Sequence, residues 1–161
     1  MIAVIGCGNP TRSDDGVGPE VLRVLATREV CKDERVRLLD AGTDGMTVMF
    51  AARGCRTLIV VDACRSGGAP GAVFEVPGPQ LAQAHQPSIT LHDFRWDHAL
   101  HAGQRLFGED FPKDVIVLLI EAETLEFGIG LSSCVTDAAQ KVIDRVEALV
   151  RSRLQQATAL Q

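Results

Sequence analysis

Four stretches of this chain set polar residues beside glycine or at the end of an apolar run. The first is Gly6-Cys7-Gly8-Asn9, followed by Asp14-Asp15-Gly16-Val17-Gly18. Adjacent carboxylates after a Gly-rich turn suit a cation or proton chemistry, and they would repel a pyrophosphate. The dinucleotide fingerprint G-x-G-x-x-G fails here, because Thr11 stands at its third glycine and Pro10 interrupts the loop. Asp14 has a plainer reading as cap and dipole partner of the helix that follows. The second stretch is Asp40-Ala41-Gly42-Thr43-Asp44-Gly45. The third is Val60-Val61-Asp62-Ala63, where a carboxylate closes an apolar run. Such a group is costly to bury unless it has a partner or a function, and a turn role is the alternative. The fourth is Thr90-Leu91-His92-Asp93. Asp15, Asp62 and His92 together make a mixed oxygen and nitrogen ligand set suited to Zn, Ni, Co or Mn. Three protein ligands leave positions open for water or substrate. Spacing alone does not separate this set from unrelated acids and histidines.

The elements that must position these residues are strands alternating with helices. Met1 to Ile5 reads as a strand, and the helix after its loop starts at Asp15 or Pro19 and ends near Thr27. Val36 to Asp40 is a second strand, followed by a short helix over Met46 to Ala52. Thr57 to Ala63 is a continuous apolar run, the signature of a strand buried on both faces. Ala72 to Val76 reads as an edge strand of opposite sense, and Pro77 to Pro87 as a loop. Thr90 with Asp93 approximates a capping box. That places His92 in a first helical turn, where the dipole favours the neutral, metal-binding imidazole. His98 and His101 fall later on the same helix. Asp114 to Glu121 is the last strong strand, with Glu121 and Glu123 at its end. Ser132 or Ser133 opens a final helix carrying Val135, Ala138, Ala139, Val142, Ile143, Val146 and Leu149 at helical spacing. The expected fold is a three-layer α/β sandwich, with a mostly parallel sheet of about five strands and one antiparallel edge strand. One domain covers 1–150, and a polar, frayed tail covers 151–161.

Composition removes several function classes. A chain of 161 residues holds one domain with a real core. The net charge of -5 disfavours nucleic acid as a partner. No apolar run approaches the roughly 18 residues of a membrane span, and Met1 opens directly into a strand. A cytoplasmic protein without a membrane partner is expected. The five cysteines form no C-x-x-C pair, which argues against a disulfide framework and a structural zinc site. Cys7 and Cys64 lie near strand ends, where either a buried apolar role or a thiol nucleophile fits.

Taken in order, these stretches resemble the nickel-iron hydrogenase maturation endopeptidases. Gly6-x-Gly8-Asn9 with Asp14-Asp15-Gly16-x-Gly18 is similar to the family's opening. Asp40-x-Gly42-Thr43 with Gly45 is similar to its second motif, and Val61-Asp62-Ala63 with Gly68, Pro70 and Gly71 to its third. Ser88-x-x-x-His92 and the late segment Thr124-Leu125-Glu126 with Gly130-Leu131-Ser132 also fit, so the resemblance spans nearly the whole chain. It implies an endopeptidase that removes the C-terminal extension of a hydrogenase large-subunit precursor after nickel insertion. It further implies that Asp15, Asp62 and His92 are the metal-binding and catalytic set. By the same resemblance Asp40, Gly42 and Thr43 belong to a substrate-recognition turn. Ala41 replaces the usual Gly or Cys of that turn, Asp15 is shorter than the Glu of many relatives, and Trp96 is outside the pattern.

Three functions follow as alternatives. A metal-assisted peptidase would use either an ion bound at this site or the nickel already held by the precursor, with zinc or cadmium able to substitute in vitro. Asp14 or Asp40 would then serve as base or orienting group. A non-proteolytic nickel-sensing chaperone would use the same ligands. A small-molecule hydrolase would use Cys7 or Cys64. No H-E-x-x-H motif is present, so an ordinary zincin is excluded.

Overall fold

The computed structural model describes residues 1–81 and 95–159. Five strands are laid down as β1 (Ile2–Cys7), β2 (Val36–Gly42), β3 (Thr57–Cys64), β4 (Val73–Pro77) and β5 (Asp114–Glu121). The helices are α1 (Val17–Leu25), α2 (Gly45–Ala52), the single turn α3 (Gly78–Leu81), α4 (Trp96–Phe107) and α5 (Ser133–Ala159). The sheet order is β2-β1-β3-β5-β4, parallel throughout except for the β4–β5 pair. This is the expected α/β sandwich with one antiparallel edge.

The apolar runs become buried strands because side chains alternate across the sheet. Ile2 and Val4 of β1, Ile59 and Val61 of β3, and Ile116 and Leu118 of β5 enter the core beneath α1 and α5. Ala3, Ile5, Leu58, Val60, Val115 and Val117 enter the opposite core beneath α2 and α4. Both faces are therefore covered, which is why these strands read as continuous apolar runs. Connections run from β1 outward to β2 and then back across to β3. The strand order thus reverses between β1 and β3. In open α/β sheets, the crevice outside the carboxyl ends at such a reversal is where ligands bind.

Three boundaries differ from the sequence reading. Residues Ser13–Gly16 form a separate 3-10 turn, so α1 begins only at Val17. Residues Gly78–Leu81 take one helical turn within the expected loop. The expected frayed tail is instead helical through Ala159, because Leu154 falls four residues after Val150 and extends the buried stripe of α5. Arg153, on the same turn, pairs with Asp114 at 2.8 Å. α4 begins at Trp96 with Arg95 as its extended N-cap, and the expected helix opening at Thr90–Asp93 lies outside the described residues. Among the described residues, no helix is long and apolar enough to cross a membrane.

Candidate active site

A cleft of about 270 Å3 opens at the β1/β3 reversal. Its floor and walls come from the loop after β1, the turn after β2, the end of β3 and the start of α4. Two glycines let these pieces meet. At Gly18, a Cβ would sit 2.1 Å from the Cys7 carbonyl oxygen and 2.7 Å from that of Val61. Any side chain there would push α1 off β1 and β3. Gly8 has φ +126°, and a Cβ on it would lie 1.8 Å from the Asp15 carbonyl oxygen. The glycines of this loop thus serve close packing of helix on strand, not phosphate binding. The Gly8 N–H donates to the Gly42 carbonyl at 2.8 Å, which ties the first loop to the second.

Asp15 and Asp62 both line this cleft, from the β1 loop and the end of β3 respectively. Asp15 is half-buried, and its Oδ2 accepts the Asn9 N–H at 2.9 Å. Asp62 is only 4% exposed. Its Oδ1 accepts the Ala63 N–H at 2.8 Å, and its Oδ2 accepts the Trp96 indole N–H at 2.7 Å and an Arg95 N–H at 3.4 Å. Burial pushes the Asp62 carboxyl up to about 6, with the Asp15 charge acting the same way, while Arg95 and the hydrogen bonds from Trp96 and Ala63 pull against it. Asp44 adds a third carboxylate to the lining, where Arg95 is the one cation among the described residues. The cleft therefore favours a positive ligand. Each carboxylate oxygen has a second lone pair beyond its protein donor, so both groups can still bind a cation. Among the described residues, no group of three or more potential donors is assembled. His92, the proposed nitrogen ligand, lies outside them.

The neighbouring Asp14 has a different fate. It is wholly buried and caps no helix. Its oxygens accept the N–H groups of Glu123, Thr124 and Ser132 at 2.9, 3.0 and 2.6 Å, and the Ser132 hydroxyl at 3.0 Å. Neither a capping role nor a role as base fits those contacts. Asp14 fastens the loop between β5 and α5 to the loop that carries Asp15. The Ser13 N–H to Gly128 carbonyl bond at 2.9 Å and the return bond from Gly128 to Thr11 at 3.0 Å reinforce that joint. At the end of β5, the buried Glu121 takes the Ser66 N–H and hydroxyl, the Gly67 N–H and the Cys64 thiol. The Ser66 hydroxyl bond leads in holding its carboxyl down to about 2.

The second motif divides by role. Gly42 and Thr43 line the cleft, whereas Asp40 is exposed and its Oδ1 accepts the Gly42 N–H at 2.9 Å. That bond shapes the turn. Asp44 caps α2, accepting the Met46 N–H at 2.9 Å and the Thr47 hydroxyl at 2.6 Å. His98 and His101 lie on α4. Sequence reasoning missed Trp96 and Arg95 as partners of Asp62. The available signal was general: an indole N–H on a buried helix face must find an acceptor.

The thiols are poorly placed for nucleophilic work. Cys7 lies in the cleft, but burial first, and then the Asp62 charge, push it far above an ordinary thiol. Cys64 is pushed up to about 12, by burial first and then by the hydrogen bond to Glu121. The thiolate is the reactive form, so both are poor nucleophiles at neutral pH. Cys7→Ala and Cys64→Ala are each expected to keep processing within about threefold of wild type, since each removes one small thiol, buried at Cys7 and partly buried at Cys64. Complete loss in a correctly folded variant would reinstate the thiol reading.

An α/β sandwich with an acidic cleft at its strand-order reversal defines a class of site, and comparison with known proteins places the chain within a family. The hydrogenase maturation protease (HycI) profile matches residues 19–149. The Escherichia coli hydrogenase 2 maturation protease is 30% identical over 151 residues, covering 93% of this chain and 90% of that protein. The chain belongs to the hydrogenase maturation protease family, and it is an endopeptidase by descent. The solved structure of the hydrogenase maturating endopeptidase HybD from E. coli superposes with a TM-score of 0.82 at 28% identity, covering 95% of this chain and 93% of that one. The [NiFe] hydrogenase maturation protease HycI from Thermococcus kodakarensis shares the fold at 18% identity, with a TM-score of 0.74 over 94% and 92% of the two chains.

Proposed function

We propose that this protein removes the C-terminal extension of a hydrogenase large-subunit precursor. It reads nickel already held by that precursor through Asp15, Asp62 and His92. The observation that carries this reading is the convergence of Asp15 and Asp62 on one acidic cleft at the β1/β3 reversal, in a chain of the maturation protease family. In this reading nickel arrives as part of the substrate. Once bound, it would supply Lewis-acid polarisation of the scissile carbonyl or activation of water.

The chain's own residues do the rest. Asp62 is held by donors on both oxygens and presents a fixed charge. Asp15 is held by the main chain of its own loop. Gly42 and Thr43 line the cleft beside the space an extended peptide would take, and Asp40 keeps that turn in shape.

The test is to incubate the purified protein with nickel-loaded and metal-free precursor and weigh the products by mass spectrometry. A shortened product from loaded precursor alone is expected. Cleavage of both forms would end the nickel-reading role. A stable complex with loaded precursor and no shortened product would favour the chaperone function.

A further inference from the structure

We infer that Arg95 and Trp96 govern how Asp62 meets a cation, and in opposite senses: Trp96 as a positioning residue, Arg95 as a displaceable counter-ion. The inference rests on Asp62 being a ligand, as proposed above, and goes beyond it to how loaded and empty precursors are told apart.

Both residues donate to the same oxygen, Asp62 Oδ2, but their circumstances differ. Trp96 is 8% exposed and opens α4, packed in the core with Ala99 and Leu100. Its N–H reaches Oδ2 at 2.7 Å, while the Ala63 N–H holds Oδ1 at 2.8 Å. With a donor fixed on each oxygen, the carboxylate plane cannot turn. The indole is also neutral, so it orients Asp62 without opposing a positive ligand. Outer partners of this kind set the geometry of metal-binding groups, and losing one commonly weakens binding by about 10- to 100-fold.

Arg95 is placed otherwise. Its side chain is 63% exposed, and its contact with Oδ2 is long, at 3.4 Å. It brings a full positive charge to the place a cation must occupy. A guanidinium on an exposed stem can withdraw into water at small cost. A precursor bearing a metal ion can therefore displace Arg95 from Asp62. A precursor without one presents nothing to replace it, and Asp62 stays paired. Trp96 remains in both states, because the core holds its ring.

The test compares wild type, Trp96→Phe, Arg95→Gln and Arg95→Lys. Cadmium binding to each is measured by calorimetry, with thermal melting as the control for folding. Processing of nickel-loaded precursor is followed alongside. Trp96→Phe is expected to weaken cadmium binding by about tenfold or more and to raise KM for loaded precursor. Arg95→Gln is expected to tighten cadmium binding severalfold and to lower that KM, while Arg95→Lys, which keeps the charge, stays close to wild type. Arg95 is an exposed N-cap, so its variants report even if Trp96→Phe fails to fold. Weakened binding in Arg95→Gln would overturn the counter-ion role. Unchanged binding in a folded Trp96→Phe would overturn the positioning role. A wild type that processes precursor but binds no cadmium would remove Asp62 as a ligand of the free protein, and the inference with it. Opposite shifts in affinity without any processing would leave the inference standing and overturn the protease reading instead.

Discussion

Asp62→Asn is expected to slow processing of nickel-loaded precursor by at least about a thousandfold while the protein still folds. The asparagine keeps the size of the side chain, and its carbonyl oxygen can still accept the 2.7 Å bond from the Trp96 indole. What disappears is the negative charge and one oxygen donor. A charge-stabilising contact of several kcal/mol in the reaction, at about 1.4 kcal/mol per tenfold, sets that factor. His92→Ala should cause a loss of the same kind with little change in melting, since it removes the proposed nitrogen ligand. Wild-type processing should also fall as pH drops through about 6, the value to which burial, ahead of the Asp15 charge, pushes the Asp62 carboxyl. Protonation there removes the ligand charge. The linkage to stability has the opposite sign. Between the ordinary aspartate value and about 6, the folded state holds a proton that the unfolded chain has released. Asp62 therefore contributes stability at low pH that is lost as pH rises through that window. A pH–rate profile and a melting series would check both. Wild-type rates from Asp62→Asn would end its role as a ligand.

Asp14→Ala is expected to lower stability by roughly 3 kcal/mol or more and the melting temperature by roughly 10 °C. Asp14 is fully buried, and its loss strands three backbone N–H groups and the Ser132 hydroxyl. Leaving buried donors without an acceptor costs about 1–3 kcal/mol each, and bonds to a charged group lie at the strong end. Some of those donors will find water, so the costs do not simply add. The damage should centre on the joint between the Asp15 loop and residues 122–132. Hydrogen exchange at Glu123, Thr124 and Ser132 should therefore quicken more than exchange in β3. Asp14→Asn should fall between Ala and wild type. A melting temperature within about two degrees of wild type would show that the joint is held by the Ser13–Gly128 bonds instead.

Asp14 and Asp15 mark the division between what this sequence determined and what the tertiary structure decided. Local pattern was enough for the strands, because β3 and β5 are buried on both faces and had to be written as unbroken apolar runs. It was enough to bring two of the candidate carboxylates to one cleft as well. A carboxylate after β1 and another near the end of β3 lie on the same side of the sheet once the strands pair in parallel, and β1 and β3 are direct neighbours. The ordered Gly, Asp and Thr motifs carried the family. Local pattern did not extend to the tail, where one apolar residue, Leu154, decided for a helix within a polar stretch.

Nor was it enough to tell the two adjacent acids apart. Their side chains leave one turn in different directions, and their partners were chosen far along the chain. Asp14 meets Glu123 and Ser132 across 109 and 118 positions, while Asp62 meets Trp96 across 34. Periodicity reports which face a residue takes and where a strand ends. It carries no information about which distant donor will arrive at a carboxylate. That depended on the return of the β5–α5 loop and of the start of α4 to the carboxyl end of the sheet. Their return made one acid a buried fastening, left its neighbour on the cleft, and gave Asp62 an indole and a guanidinium as partners.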